Sequence, residues 1–169
     1  MNGRPWLKNY DAGVPYTLSP YPQRTLLDVM DDTTRLKPGH TSFIFKGARI
    51  SHRQLDRWST TLAAALAALG VKKGDRVVLL LPNCPQAVIS QIAAWKVGAI
   101  VAPLNPMYTE RELEGALQRC GAETAVVLTP FYAKLKAVQP RLTAYPQAPT
   151  RKSEQFPAHV NLTVLPVVL

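Results

Sequence analysis

Residues 74–86 read GDRVVLLLPNCPQ, and this stretch decides the fold of the chain. The uninterrupted apolar run from Val77 to Leu81 indicates a strand that is buried on both faces, as in a parallel sheet. Pro85 fits the first turn of a following helix, and Asn83 is the predicted N-cap of that helix. A buried strand that leads directly into a helix predicts a β–α–β unit.

The same alternation continues towards the C-terminus. Ala99–Ala102 and Thr124–Leu128 are predicted as two further buried strands. The helix between them begins with a capping box, because Thr109 is followed three residues later by Glu112. A last helix is predicted from Thr129 onwards. Parallel strands joined by right-handed crossovers follow from this series, so the predicted fold class is α/β.

The residues before the first buried strand predict an arm, a short helix and a small hairpin. Residues 1–24 are rich in proline and aromatic residues, which predicts an arm packed across the surface of the protein. A short helix is expected over 25–34. Thr41–Ile50 holds two β-rich runs that flank Lys46 and Gly47, which predicts the hairpin.

A longer helix is predicted directly after the hairpin. Ser51 and Gln54 form a capping box at its start, and Gly70 is placed to end it. Apolar residues at spacings of three and four give this helix one buried face. Those residues are Leu55, Trp58, Leu62, Leu66 and Leu69.

Composition excludes several function classes. With 47% hydrophobic and 18% charged residues, the chain is typical of a globular protein with a core. The formal charge is +9, but no run of five like charges and no nucleic-acid motif occurs, so no nucleic-acid partner is expected. No apolar run approaches the ~20 residues of a membrane span. A cytoplasmic protein is therefore expected, with peripheral contact to a membrane left open by the basic surface.

The loop Pro82–Pro85 is the first candidate site, because ligands collect beyond the carboxyl ends of parallel strands. Its two prolines remove N–H donors that a phosphate-binding loop needs, so it is not one. Asn83 is interpreted as a helix cap rather than a ligand-binding residue. Cys84 is interpreted as a buried structural cysteine rather than a nucleophile, because the histidines lie in unrelated segments. Those histidines are His40, His52 and His159.

The loop after the second predicted strand is the other candidate. Prolines at 103 and 106 stiffen a turn there, while Asn105 and Tyr108 either belong to that turn or face a cleft. The acidic start of the next helix, with Glu110, Glu112 and Glu114, is favoured by the helix dipole and needs no acid–base role.

Trp58, Trp95 and Cys120 are interpreted as core residues. The two cysteines form no CxxC pair, and no metal or nucleotide motif occurs. The prediction is therefore that this chain supplies no catalytic, cofactor-binding or metal-binding residue.

Four stretches in this order resemble the adenylate-forming enzymes, and most closely the long-chain fatty-acid–CoA ligases. They are PWLKNYDAGVP (5–15), ARISHRQLDRWS (48–59), LAALGVKKGDRVVLLLPNCPQAV (66–88) and AAWKVGAIVAPLNPMYTERELEGAL (93–117). The second is similar to the family's "LTYxEL" motif and the fourth to its "KAGAVVVPLNPLYTPREL" motif. The opening PWLKNYDAGVP points to the fatty-acyl branch. The resemblance runs from Pro5 to about Arg141.

This resemblance implies part of the large N-terminal domain of an adenylate-forming enzyme, spanning 25–141. The intact family uses ATP and Mg²⁺ to convert a carboxylate to an acyl-adenylate, and then transfers the acyl group of the fatty acid to coenzyme A. Its phosphate-binding motif "YTSGTTGxPKG" does not occur in the chain, nor do its later motifs. The chain is therefore expected to be inactive alone and to bind none of these cofactors.

The tail, residues 142–169, departs from the family pattern. It is expected to be either a shifted reading frame or a genuine ending that is disordered until a partner binds. Two further functions are open. One is a binding module that docks to a complementary ligase chain, and the other is an unrelated flavodoxin-type domain, which the prolines of Pro82–Pro85 argue against.

Overall fold

The computed structural model describes residues 4–142 and two short strands at 151–152 and 162–165. The helices are α1 (Leu26–Leu36), α2 (His52–Ala68), α3 (Pro85–Lys96), α4 (Glu110–Cys120) and α5 (Tyr132–Val138). The strands are β1 (Thr41–Phe45), β2 (Ala48–Ser51), β3 (Arg76–Leu80), β4 (Ile100–Leu104), β5 (Thr124–Leu128), β6 (Arg151–Lys152) and β7 (Leu162–Leu165). Short 3-10 turns lie at Pro5–Asn9, Thr129–Phe131 and Gln139–Arg141.

The main sheet has the strand order β4-β3-β5-β7-β6. Strand β3 pairs in parallel with β4 on one side and with β5 on the other. Strand β7 then pairs antiparallel with β5. The predicted α/β class with parallel β–α–β units is confirmed.

The predicted hairpin is also confirmed, and it forms a sheet of its own. Strands β1 and β2 pair antiparallel around Lys46 and Gly47. Both turn residues have positive φ, 48° and 81°, as expected for a tight turn that matches the twist of a hairpin.

The sheet is covered by helices on both faces, with successive residues of β3 pointing to opposite sides. Val77 and Leu79 join α2 and α3 in one buried cluster. Val78 and Leu80 join α4 and α5 in a second cluster on the other face. The continuous apolar run that begins at Val77 therefore belongs to a central strand that is buried on both faces, as predicted.

Local capping signals fix the starts of three helices. The predicted capping boxes Ser51–Gln54 and Thr109–Glu112 are both formed. A third joins Thr25 to Asp28 at the start of α1. The sequence signal for this third box is weaker because aspartate stands where glutamate or glutamine is usual.

Two expectations about burial are wrong. The strand predicted at Ala99–Ala102 runs from Ile100 to Leu104 and lies at the edge of the described sheet, with Ile100 55% exposed. The arm does not pack across the surface either, because Trp6, Tyr16 and Tyr21 are all exposed. Short apolar runs and aromatic side chains favour burial, but tertiary structure decides whether another part of the protein covers them.

Of the tail 142–169, the structure describes Leu142, β6 and β7, and the other residues lie outside the described part of the chain. His159 is one of these. Among the residues that are described, no helix combines the length and apolar content that crossing a membrane requires.

Candidate functional site

The carboxyl ends of β3, β4 and β5 lie at one edge of the sheet, because these three strands are parallel. The loops that follow them are Leu81–Cys84, Asn105–Thr109 and the turn Thr129–Phe131. Ligands of open α/β sheets bind outside this edge. We therefore take it as the candidate functional site.

The loop after β3 does not have the predicted cap. Cys84, not Asn83, occupies the N-cap position of α3, and it makes no side-chain capping bond. Pro85 fills the first helical position as predicted, so the residue immediately before it becomes the cap. Asn83 is one residue too early to reach the first free N–H groups, and its side chain is left exposed. The alternative interpretation, a ligand-binding asparagine, stays open.

Cys84 is partly buried, as Cys120 is, so the interpretation as a buried structural cysteine is met only in part. No hydrogen bond joins its thiol to His40 or His52, the two histidines within the described residues. His52 instead lines a separate cavity between α1, α2 and α3. Within residues 4–142, neither histidine is hydrogen-bonded to Cys84 as the general base of a cysteine nucleophile would be.

A groove of about 430 Å³ opens beside this loop, between the hairpin strand β1, the end of β3 and the start of α3. We call it the hairpin groove. Its walls include Phe43, Phe45, Leu79, Leu81, Cys84 and Pro103. Asn83 and Gln91 supply its polar groups, and none of the acidic residues that the structure describes lines it. A mainly apolar concavity with a few polar groups is the usual form of a small-molecule site.

The hairpin carries two cations, Lys46 and Arg49, and neither of them lines the groove. Lys46 Nζ lies 5.7 Å from the centre of the Phe45 ring, which forms part of the groove wall. Arg49 is the cross-strand partner of Ile44, so it stands on the face of the hairpin opposite Phe43 and Phe45. Neither cation forms a salt bridge within the described part of the chain.

The loop after β4 is held as a rigid turn. Asn105 Oδ1 accepts a hydrogen bond of 2.9 Å from the amide of Met107. Lys134 on α5 donates to the carbonyl oxygens of Pro106 and Tyr108 over 3.0 and 2.7 Å. The Tyr108 ring packs against the second core cluster. The turn interpretation of Asn105 and Tyr108 is therefore confirmed.

The acidic start of α4 is structural. Glu112 accepts hydrogen bonds from both the amide and the hydroxyl of Thr109, each 2.8 Å long. These bonds, the backbone one first, lower the pKa of Glu112 below its ordinary value. Glu110 and Glu114 lie 2.8 and 3.8 Å from the guanidinium of Arg141. None of the three carboxylates is left free for acid–base chemistry.

A second cavity of about 130 Å³ lies between α1, α2 and α3. Lys96 Nζ is at its wall and is already bonded to Asp56 Oδ1 and Thr60 Oγ1, over 2.6 and 2.7 Å. These bonds join α3 to α2. The cavity is thus a gap between packed helices, and its cation, Lys96, is already paired with Asp56.

Trp58, Trp95 and Cys120 lie where the sequence predicts. The two tryptophans pack against the first core cluster and Cys120 against the second. Within residues 4–142, no three His, Cys, Asp or Glu side chains group as metal ligands would. That the chain binds no metal stays a prediction.

Sequence reasoning missed the residues that meet only in three dimensions. Lys134 is 28 residues from Pro106, and Lys96 is 40 residues from Asp56. The hairpin groove depends on β1 lying beside the end of β3. No local pattern signals these approaches, because each requires the packed sheet.

The model of the AMP-binding enzyme family matches residues 30–165. The chain belongs to this family. It is 39% identical over 126 residues to the long-chain-fatty-acid–CoA ligase of Bacillus subtilis, covering 75% of this chain and 22% of that protein. It is 33% identical over 152 residues to the ligase of the same name from Escherichia coli O6:H1, covering 89% of this chain and 27% of that protein.

A solved structure from Rhodopseudomonas palustris, named a long-chain-fatty-acid CoA ligase, superimposes with a TM-score of 0.66. It is 31% identical, and the match covers 70% of this chain and 30% of that one. The adenylate-forming family predicted from the sequence is thereby confirmed. The chain spans about a quarter of the length of the curated relatives it matches.

Proposed function

We propose that this chain is the N-terminal scaffold of a long-chain fatty-acid–CoA ligase, an enzyme that adenylates a fatty acid with ATP and Mg²⁺ and then transfers the acyl group to coenzyme A. The 39% identity to the Bacillus subtilis ligase carries this proposal. The parallel β–α–β core with helices on both faces supports it, because such a sheet positions loops for a ligand at its carboxyl edge.

The 169-residue chain does not catalyse adenylation by itself. Its carboxyl-edge loop holds Pro82 and Pro85, which donate no backbone N–H to a phosphate, and no loop rich in glycine and ending in lysine occurs. The test is exchange of labelled pyrophosphate into ATP in the presence of oleate. The purified chain is expected to show none, with the full-length Bacillus subtilis ligase as the positive control. Exchange that depends on oleate would overturn this statement.

A second candidate function is a module that docks to a complementary ligase chain. It is favoured by β4, an edge strand of the described sheet that exposes Ile100. An exposed edge offers unpaired N–H and C=O groups to another chain. The test mixes this chain with the remainder of the Bacillus subtilis ligase. Complex formation is expected to be weakened by Ile100→Lys and left intact by Met107→Lys, an exposed apolar position outside the strand. Absence of any complex would exclude this function.

Peripheral contact with an anionic membrane is proposed for the arm. Trp6, Tyr16 and Tyr21 are exposed, and Arg4 and Lys8 add positive charge. Aromatic and basic side chains together favour the membrane–water interface. Vesicles of anionic phospholipid are expected to sediment the chain, and Trp6→Ser with Tyr16→Ser to reduce this. Equal sedimentation by vesicles of neutral lipid, or no effect of the variant, would contradict the proposal.

A further inference from the structure

We propose that β6 and β7 form an edge cover, which shields β5 from strand pairing with a second copy of the chain. When this cover is lost, β5 of one copy pairs with β5 of another across a two-fold axis. The inference goes beyond the proposed function, because it involves neither ATP nor a ligase motif and its test measures no activity.

β5 is an interior type of strand that becomes adhesive when its second edge is bare. It pairs in parallel with β3 on one side, and β7 lies on its other side. Ala125, Val126 and Val127 are all 0% exposed, with Val126 in the first core cluster and the other two in the second. Both faces of β5 are therefore buried. Its sequence TAVVL has no charge and no proline, so a bare edge would be a template for another strand.

β7 covers this edge along most of its length. The two strands are antiparallel, and their cross-strand pairs run from Ala125 with Leu165 to Leu128 with Leu162. The edge of β5 thus already accepts an antiparallel neighbour. An antiparallel β5 from a second copy fits the same edge, and two identical strands that pair in this way are related by a two-fold axis. The second copy is therefore the occupant that β7 excludes.

The outer side of the cover is built against further pairing. β6 has only two residues, Arg151 and Lys152, which pair with Val164 and Thr163 of β7. Very short edge strands and cationic residues are common means by which a sheet avoids pairing with another sheet. Two copies that met along this edge would bring like charges together. The cover thus replaces an adhesive edge with a short, charged one.

Val164→Pro tests the cover directly. Val164 pairs with Val126 on one side and with Arg151 on the other, and proline at this position removes an N–H donor from the middle of β7. Val164→Ile is the matched control, because isoleucine keeps both the N–H and the β-branched side chain. Sedimentation velocity between about 5 and 200 μM measures self-association. The parent and the control are expected to stay monomeric, and Val164→Pro is expected to become a dimer as the concentration rises.

Hydrogen exchange locates the new contact. At the lowest concentration of Val164→Pro, the amides within 124–128 that face β7 are expected to exchange about tenfold faster than in the parent, because they lose their partners. At the highest concentration their protection should return, since β5 then pairs with a second copy. The amides of β3 should be unaffected throughout, because β3 stays between β4 and β5.

Arg151→Gln with Lys152→Gln decides the case if Val164→Pro does not fold. This double variant leaves β7 in place and removes only the charges of the outer edge, so it is expected to self-associate within the same concentration range. Lys72→Gln with Arg111→Gln removes the same charge from exposed positions outside the sheet and should sediment like the parent.

The proposal is overturned if Val164→Pro melts cooperatively and stays monomeric, or if Val164→Ile or the parent dimerises to the same extent. Dimerisation of Val164→Pro that protects Ile100–Leu104 and leaves β5 unprotected would also overturn it, because the contact would then lie at the opposite edge of the sheet. If Val164→Pro does not fold, an Arg151→Gln and Lys152→Gln variant that stays monomeric overturns it.

Discussion

Lys96 Nζ lies 2.6 Å from Asp56 Oδ1, and this ion pair joins α3 to α2 across 40 residues of sequence. The same ammonium donates to Thr60 Oγ1 over 2.7 Å. The Lys96 side chain is 20% exposed, so the pair is shielded from solvent on one side only. The two helices pack on the same face of the sheet through a shared apolar cluster, and this ion pair adds a polar contact between them.

Lys96→Met is expected to lower the free energy of unfolding by about 1 kcal/mol, because it leaves Asp56 without its cation while keeping most of the side-chain packing. Arg35→Met is the control, since Arg35 pairs with Asp32 on an exposed surface and its loss should cost close to nothing. Urea denaturation of both variants measures the difference. Equal values for the two variants would contradict the prediction.

Lys134→Met is expected to loosen the turn after β4. The lysine supplies two hydrogen bonds to that turn, through the carbonyl oxygens of Pro106 and Tyr108. Without them, amide exchange of Met107 and Tyr108 should accelerate about fivefold, which corresponds to losing about 1 kcal/mol of local stability. Hydrogen exchange followed by mass spectrometry of the peptide covering 105–109 gives the measurement.

Lys136→Met is the control for that experiment. Lys136 lies on the same helix, but it donates to Gln139 and not to the turn. If both variants accelerated exchange equally, the effect would come from α5 as a whole. The direct role of Lys134 in holding the turn would then be excluded.

Local signals in the sequence were sufficient for most of the fold. The capping boxes at Ser51 and Thr109, the turn at Lys46 and Gly47, and the apolar run after Arg76 each depend on neighbouring residues only. Because helix starts and tight turns are decided within a few residues, they could be predicted without the rest of the protein.

The candidate site could not be predicted to the same extent. The position of β4 at the edge, the exposure of the arm and the hairpin groove all depend on which surfaces come together. The predicted N-cap Asn83 is wrong because this residue, although a good capping type, stands one position before the cap of α3. Pro85 decides the start of α3, and Cys84 becomes the cap without making a capping bond.

The capping box of α4 predicts a dependence of stability on pH. The pKa of Glu112 is lowered in the folded protein by its hydrogen bonds to Thr109, so the folded state favours the ionised form. Its contribution is therefore present above the unfolded glutamate pKa of about 4.3 and is lost as the pH falls through the lower folded pKa. Urea denaturation between pH 6 and pH 3 is expected to show this loss, with the pH range set by these pKa values.

Glu112→Gln should remove this part of the pH dependence, because an amide can still accept the bonds from Thr109 but does not titrate. Glu123→Gln is the matched control, since Glu123 is exposed and forms no ion pair among the described residues. A pH profile of Glu112→Gln that coincides with that of the parent would show that the carboxylate is not responsible.

Gly115 lies inside α4 and Gly121 directly follows it, and substitution by alanine is expected to have opposite effects at the two positions. Gly121 ends α4 with φ of 55°, and an alanine there would adopt a left-handed conformation at a cost of about 1–2 kcal/mol. Gly115 is inside the helix, where alanine is favoured over glycine by about 1 kcal/mol. The Cβ of an alanine at this position would lie 3.2 Å from the flexible end of the Arg119 side chain, which has to move slightly. Thermal unfolding should therefore show Gly121→Ala less stable than the parent and Gly115→Ala more stable. A Gly121→Ala variant as stable as the parent would contradict the assignment of Gly121 as a left-handed cap.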